Sequence, residues 1–291
     1  MPDQRITIAV AMSCFNRRET TLRCLRSLAP QATDYIHLTV HLLDDDSVDG
    51  TADAVKVEFP ETVVIKGDGN RFWGGGMYLA MRSAAEAGFD YVLWLNDDVT
   101  LKPDAIARML DAYQVAKAKD AGLHVVAGAM EDPSTGNMSY GGFNRRNAWH
   151  PAQLDRVAPS MDALTPCDTL NGNCVLIPAD VVQRLGPIDP TFVHQLGDID
   201  YGYRLAKVGG QTWLAPGFIG ECSPNTGTAA WRKAKDLRTR LRLLRTPRGL
   251  PPRSWFTFMW RWGNLLGIAT LAGIYVKALT SSPPKQTASV T

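Results

Sequence analysis

Apolar residues recur along the first third of the chain in two rhythms that take turns. Short runs rich in β-branched and other apolar residues predict strands: Ile6 to Met12, His37 to Leu43, Thr62 to Ile65 and Tyr91 to Leu95. Between them, apolar residues at helical spacing predict helices over Arg18–Leu28, closed by Pro30, then over Thr51–Phe59, Met77–Ala87 and Asp104–Ala118. Pro103 suits the first turn of the last of these. Strand and helix alternating through short connections predict an α/β protein with a mostly parallel sheet. Beyond residue 125 the pattern loosens, and 131–166, rich in Gly, Asn, Ser and Pro, reads as long loops around a site. Regular signals return with a strand at Cys174–Ile177 and helices at Ala179–Leu185 and Ile199–Val208. The Ser/Thr/Pro-rich end, 280–291, reads as a disordered tail.

Ligands of open parallel sheets bind beyond the carboxyl ends of the strands. Three polar clusters fall there: Ser13–Asn16, Asp44–Ser47 and Asn96–Asp98. The turn after the first strand has no glycine, Gly67 to Phe72 lacks the third glycine of a dinucleotide fingerprint, and there is no P-loop. A bound diphosphate would therefore need another source of positive charge. Adjacent carboxylates at a strand end, Asp97 and Asp98, suit a hard divalent cation that also takes phosphate oxygens. A solvated turn capping the next helix would use the same residues.

Composition changes this picture mainly at the C-terminus. The 291 residues carry 31 basic and 29 acidic side chains, but the near balance hides a segregation. Residues 1–231 hold 19 basic and 28 acidic residues, a net of −9, whereas 232–291 hold 12 basic residues and one acid, a net of +11. A basic tail points to a polyanionic partner or to a solvated helix face. Tryptophans beside arginines follow in the segment from Ser254 to Val276, where only 15 uncharged residues separate Arg261 from Lys277. A membrane span needs about 20 apolar residues, so this segment predicts an interfacial helix or helical hairpin rather than a clean span. A hairpin packed on protein is the alternative. The five cysteines are odd in number and irregularly spaced, which predicts reduced thiols in a cytoplasmic compartment. The amino-terminal residues lack the apolar stretch of a secretory signal.

Six blocks, taken in order, resemble family 2 glycosyltransferases of the GT-A fold. They are Cys14 to Arg17, Leu43 to Thr51, Asn70 to Gly76, Trp94 to Val99, Asn171 to Ile177 and Gly197 to Arg204, and the likeness runs from about residue 6 to 222. It is nearest to bacterial enzymes of surface-polysaccharide synthesis, of the rhamnosyl- and galactofuranosyltransferase-like group. The resemblance implies a GT-A catalytic domain over 1–231, with a nucleotide-sugar half to about 125 and an acceptor half from about 126. A helical appendage would span 232–279.

The resemblance also implies roles. Asp44 would bind the nucleotide base, above a floor made by Ser13, Cys14, Phe15 and Asn16. Asn70 and Gly74, Gly75 and Gly76 would line the donor pocket. Asp97 would reach the ribose or the metal, and Asp98 would be the principal ligand of Mg²⁺ or Mn²⁺. Asp198 would be the base that takes a proton from the acceptor hydroxyl, because a hydroxyl is a poor nucleophile at neutral pH. Asp200, two residues on, does not share its helix face. Two positions depart from the family: Gly197 stands where an acid usually precedes the base, and Cys222 stands near a usual metal-binding histidine. Glu221, His194 and Asp200 are the other candidates for metal or acceptor, and Asp200 also reads as a structural residue. Trp73, Trp149 and Trp213 are candidate sugar platforms or ordinary packed aromatics. The implied partners are a nucleoside-diphosphate sugar, a glycan or polyprenyl-diphosphate-linked acceptor, and an inner-leaflet surface met by 232–279, with no nucleic acid. Alternatives are a nucleotidyltransferase acting on a sugar phosphate, or a non-catalytic nucleotide- or glycan-binding subunit.

Overall fold

The computed structural model describes residues 5–225 and 230–280. The expected tail beyond Thr280 lies outside the described residues. The strands are β1 (Ile6–Cys14), β2 (Ile36–Asp44), β3 (Val63–Lys66), β4 (Tyr91–Leu95), β5 (Thr100–Leu101), β6 (His124–Glu131), β7 (Met138–Tyr140), β8 (Gly142–Arg145), β9 (Leu154–Val157), β10 (Thr165–Cys167), β11 (Thr169–Leu170), β12 (Cys174–Pro178) and β13 (Gln211–Glu221). The helices are α1 (Arg18–Leu28), α2 (Thr51–Glu58), α3 (Phe72–Ala87), α4 (Ala105–Lys117), α5 (Ala179–Leu185), α6 (Gly197–Lys207), α7 (Ala230–Lys233), α8 (Leu237–Leu244) and α9 (Pro252–Thr280).

The chain divides into two compact units, one formed by 1–145 with 154–224, the other by 146–153 with 225–291. The first unit is built on a sheet in the order β10-β13-β6-β12-β4-β1-β2-β3. Strands β4, β1, β2 and β3 pair in parallel, as the alternating pattern predicts. Strand β12 is antiparallel to both β4 and β6, while β13 runs parallel to β6. The sheet is therefore mixed, and two reversals cancel. The carboxyl ends of β1, β2, β4, β6 and β13 meet at one edge, with the start of β12.

Strict alternation fixes the layers. On β4, Tyr91, Leu93 and Leu95 face one core with α1 and α4 residues such as Leu25 and Met109, while Val92 and Trp94 face the other with Met81 of α3 and Tyr201 of α6. On β12, Cys174 and Leu176 join the first core, and Val175 and Ile177 the second. A strand covered on both faces loses the polar alternation of a one-sided strand, which is why β4 and β12 read as continuous apolar runs.

Four local expectations change. Helix α3 begins at Phe72, five residues before the predicted Met77, so the glycine run lies in its first turns rather than in a loop. Helix α6 begins at Gly197, with Leu196 as its N-cap at a φ of 71°, so Asp198 sits inside the first turn. Strands β6 and β13 stand where the sequence pattern is irregular. The 131–166 stretch contains β7, β8, β9 and the start of β10, and 146–153 belongs to the second unit.

In the second unit, Leu244, Leu250 and Ala278 form a small core with Trp255, Ile274 and Tyr275. Asp236 caps α8 by accepting from the Thr239 N–H at 2.8 Å. Helix α9 is long and apolar enough to cross a membrane by length and composition. It is broken at Asn264, whose φ of 55° and ψ of −159° are not helical. The Asn264 side chain accepts from the Leu266 N–H at 2.9 Å and so starts the second segment.

Candidate functional site

The shared edge of the sheet gathers the acidic clusters through backbone register. Cys14 and Asp44 are cross-strand partners on β1 and β2. The two loops that follow are tied together: Asn16 N–H donates to Ser47 Oγ and Val48 N–H to Asn16 Oδ1, both at 2.8 Å. Asn16 reaches this geometry at a φ of 51°, a conformation asparagine tolerates better than most residues. Asp44 accepts from the Ser47 N–H at 2.9 Å. Ser13 is partly buried, Cys14 is buried, and Phe15 is exposed beside them.

Asp45, which sequence reasoning passed over, is the organiser of the next loop. It is buried, and its carboxylate accepts from the N–H groups of Gly69, Arg71 and Phe72 at 2.9, 2.9 and 3.0 Å. This sets where α3 begins. The glycines then follow from close packing. A Cβ on Gly74 would fall on the Phe192 carbonyl oxygen, and one on Gly76 would lie 2.7 Å from Ser13 Cβ. Gly75 has room, and its N–H donates to Val193 O at 3.1 Å. Asn70 is exposed just before the helix, with its side chain donating to Asp68 O.

Asp97 and Asp98 lie past the end of β4, beside Arg17 at the start of α1. One guanidinium nitrogen, Arg17 Nη1, lies 2.9 Å from Asp97 Oδ1 and 2.9 Å from Asp98 Oδ2. Burial pushes the Asp97 pKa up to about 6, against the Arg17 charge that pulls it down, and the Asp98 charge adds to the rise. Cys222, just past β13, directs its thiol to Asp98 Oδ1 at 3.5 Å and receives the Asn173 amide at 3.4 Å. Burial first, and then Asp98, push that thiol up to about 12, so it stays protonated and acts as a donor. Glu221 is exposed at the end of β13.

Asp198 is linked to this group through a short chain of contacts. Its Oδ2 accepts from the Gly172 N–H at 3.1 Å and the Asn171 amide at 3.3 Å, and its Oδ1 from the Ile199 N–H at 2.9 Å. Gly172 lies against the Trp73 ring, whose indole N–H donates to Asn96 Oδ1 at 2.6 Å. Asn96 in turn donates its N–H to Asn173 O at 2.9 Å. Burial raises the Asp198 pKa, and the donated N–H groups pull it back. Asp200 does something different: it is wholly buried and pairs with Arg204 at 2.9 Å, which also holds Leu185 O and Pro187 O. His194 packs on Phe72 at the start of α3, with ring centroids 5.8 Å apart. Of the three tryptophans, Trp73 lies at the site, Trp213 bonds His124 near the other end of β13, and Trp149 belongs to the second unit.

A divalent cation fits this arrangement. Asp97 Oδ2 is buried without a hydrogen-bond partner among the described residues, and Asp98 lies next to it. No group of three or more His, Cys, Asp or Glu gathers around a metal position among the described residues. Mg²⁺ commonly takes only one or two carboxylates, with substrate phosphates and water completing its shell. The protonated Cys222 is not a suitable third ligand for a hard cation.

Comparison with known proteins gives the same architecture. A mannosyltransferase from Pyrobaculum calidifontis, solved with GDP-Man and Mn²⁺, is 16% identical with a TM-score of 0.52, the match covering 94% of this chain and 76% of that one. S. aureus TarS 1-349 with UDP-GlcNAc is 13% identical with a TM-score of 0.52, over 82% of this chain and 65% of that one. GalNAc-T7 with UDP, GalNAc and Mn²⁺ is 13% identical with a TM-score of 0.56, over 84% of this chain and 48% of that one. At these identities the likeness shows the fold. No curated protein sequence matches the chain. Residues 9–160, just over half of the chain, match the family described as Glycosyl transferase family 2. With that match and a GT-A-like mixed sheet, the chain belongs to glycosyl transferase family 2.

Proposed function

We propose that this chain is an inverting glycosyltransferase that moves a hexosyl or deoxyhexosyl group from a nucleoside-diphosphate sugar to a hydroxyl of a glycan or polyprenyl-diphosphate-linked glycan, in bacterial surface-polysaccharide synthesis of the rhamnosyl- and galactofuranosyltransferase-like type. The observation that carries the reading is the continuity from Asp97–Asp98 through Asn96, Trp73 and Gly172 to Asp198 at one sheet edge. Asp198 takes the proton of the acceptor hydroxyl. The oxygen attacks the anomeric carbon as its bond to the diphosphate breaks, and the nucleoside diphosphate leaves with the electron pair. Mg²⁺ or Mn²⁺ held by Asp98 and Asp97 would neutralise charge on that leaving group. Asp44 and the Ser13–Asn16 segment suit the nucleoside, and Phe15, Asn70 and Gly75 present accessible surface for the donor. The donor half would be 1–125 and the acceptor half 126–231.

The test is a thermal-shift screen of nucleoside diphosphates and nucleotide sugars with and without Mn²⁺, followed by release of nucleoside diphosphate from the stabilising donor. Asp198→Asn should lower turnover by about 10²–10⁴-fold while leaving the thermal shift in place. Unchanged turnover removes Asp198 from the role of base.

The second unit supports cytoplasmic residence, peripheral on the inner face of the plasma membrane through 232–279. Phe256, Trp260, Leu265 and Leu266 of α9 are exposed, 74% in the case of Leu265, and the unit is strongly basic. Aromatic and aliphatic side chains beside arginines suit an anionic interface. Co-sedimentation with anionic but not neutral vesicles, weakened by Trp260→Ser with Leu265→Ser, is the expected result. Equal recovery of the variant on anionic vesicles counts against it.

A further inference from the structure

Arg17 pairs with both candidate metal ligands. A single nitrogen bridges one oxygen from each carboxylate at 2.9 Å. The Asp97 and Asp98 side chains are mostly covered, at 8% and 22% exposure, while that of Arg17 is 42% exposed. Its main chain is anchored, because the Arg17 carbonyl accepts from the Thr21 N–H at 2.8 Å at the start of α1. The guanidinium can therefore leave the carboxylates without disturbing the helix. The pairing is also incomplete, since it leaves Asp97 Oδ2 buried without a hydrogen-bond partner among the described residues.

Two adjacent carboxylates repel one another and need positive charge nearby to stay ionised. Arg17 supplies it, on the same two carboxylates that would hold a divalent cation. A cation and a guanidinium on the same two carboxylates would repel each other in turn. A diphosphate brings the anion that a displaced guanidinium is shaped to hold, through paired N–H donors. We propose that Arg17 is a resident counter-ion of Asp97–Asp98 that a divalent cation displaces, and that the displaced guanidinium then binds the diphosphate of the donor. This rests on the nucleotide-sugar reading above. Cation and diphosphate would then bind cooperatively, each favouring the Arg17 position that the other requires.

The test uses the full chain, Arg17→Ala and Arg17→Gln, with Mn²⁺ alone followed by paramagnetic resonance, and with UDP and GDP followed by calorimetry at saturating Mn²⁺. Without nucleotide, both variants should bind Mn²⁺ about tenfold more tightly than the unaltered chain, a change of one decade in Kd. At saturating Mn²⁺ both should bind the nucleoside diphosphate about tenfold more weakly, with affinity for the nucleoside alone unchanged. The glutamine variant keeps a polar side chain at the helix start, so it tests the charge if the alanine variant folds poorly. Unchanged or weaker Mn²⁺ binding in both, with the unaltered chain binding Mn²⁺ and diphosphate, overturns the Arg17 inference alone. Undiminished diphosphate affinity does the same. If neither the unaltered chain nor the variants bind Mn²⁺ or any nucleoside diphosphate of the thermal-shift screen, the nucleotide-sugar reading falls with it.

Discussion

Substituting Gly172 with alanine is the sharpest probe of how the candidate base is held. Gly172 is not among the residues at positive φ, so its backbone accepts an L side chain and the penalty is steric. The new Cβ would lie 2.5 Å from Trp73 Cη2, closer still to Cζ2, and 3.5 Å from Asp198 Cβ. Carbon atoms pack at about 3.5–4.0 Å, so the indole must retreat by about 1 Å or the 171–173 loop must lift. Retreat stretches the 2.6 Å bond from Trp73 to Asn96, and lifting takes the Gly172 N–H from Asp198. Overpacking costs about 1–3 kcal/mol and a lost hydrogen bond about 1 kcal/mol. At about 2–4 °C per kcal/mol for a unit of this size, the melting temperature should fall by about 5–15 °C. Displacing a catalytic group by about 1 Å costs on the order of 10²-fold in rate. Differential scanning fluorimetry reads the first, and nucleoside diphosphate release the second. Trp73→Leu in the same chain makes room, so the pair should couple by about 0.5–3 kcal/mol. A Gly172→Ala protein with unaltered melting and turnover, or strict additivity with Trp73→Leu, refutes the argument.

The remaining predictions concern pH, the second acid of α6 and the glycine run. Burial raises the Asp198 pKa, and a base must be ionised, so kcat/KM should fall as the pH drops through an acid limb above the ordinary aspartate value of about 3.9. Asn171→Ala removes a donor to the ionised form and should move that limb further up in a pH–rate profile. The folded chain binds this proton more tightly than the unfolded chain, so the Asp198 contribution to stability is present at low pH and lost as pH rises through the folded pKa. Asp200→Ala strands a largely buried Arg204, and chemical denaturation should show a loss of about 3–5 kcal/mol, whereas an acceptor-binding role alone would leave stability unaltered. Gly74→Ala drives a Cβ into the Phe192 carbonyl while Gly75→Ala meets only Arg71 Cβ at 3.7 Å. Soluble yield and melting should therefore fall sharply for the first and stay near the original for the second.

Much of the architecture was legible in the amino-acid order because it depends on local periodicity. The β1, β2 and β4 runs, most of the helices between them, and the placing of Ser13–Asn16, Asp44–Ser47 and Asn96–Asp98 at the carboxyl ends of strands follow from alternation and polarity. The start of α3 was not legible, since three consecutive glycines disfavour a helix locally. It is the cover of Asp45 over the N–H groups of Gly69, Arg71 and Phe72, and the close approach of Phe192, that make a helix there. Helical spacing puts Asp198 and Asp200 on different faces without saying what each face meets. Only the packing of α6 turns one toward Gly172 and the other into an ion pair with Arg204. Arg17 and Cys222 are 205 residues apart, and their common neighbour Asp98 is reached from both sides because β12 reverses direction twice over and returns β13 to the same edge. Side-chain spacing specifies which segments form strands and helices. Which charges meet is decided by long-range sheet register, which no local pattern encodes.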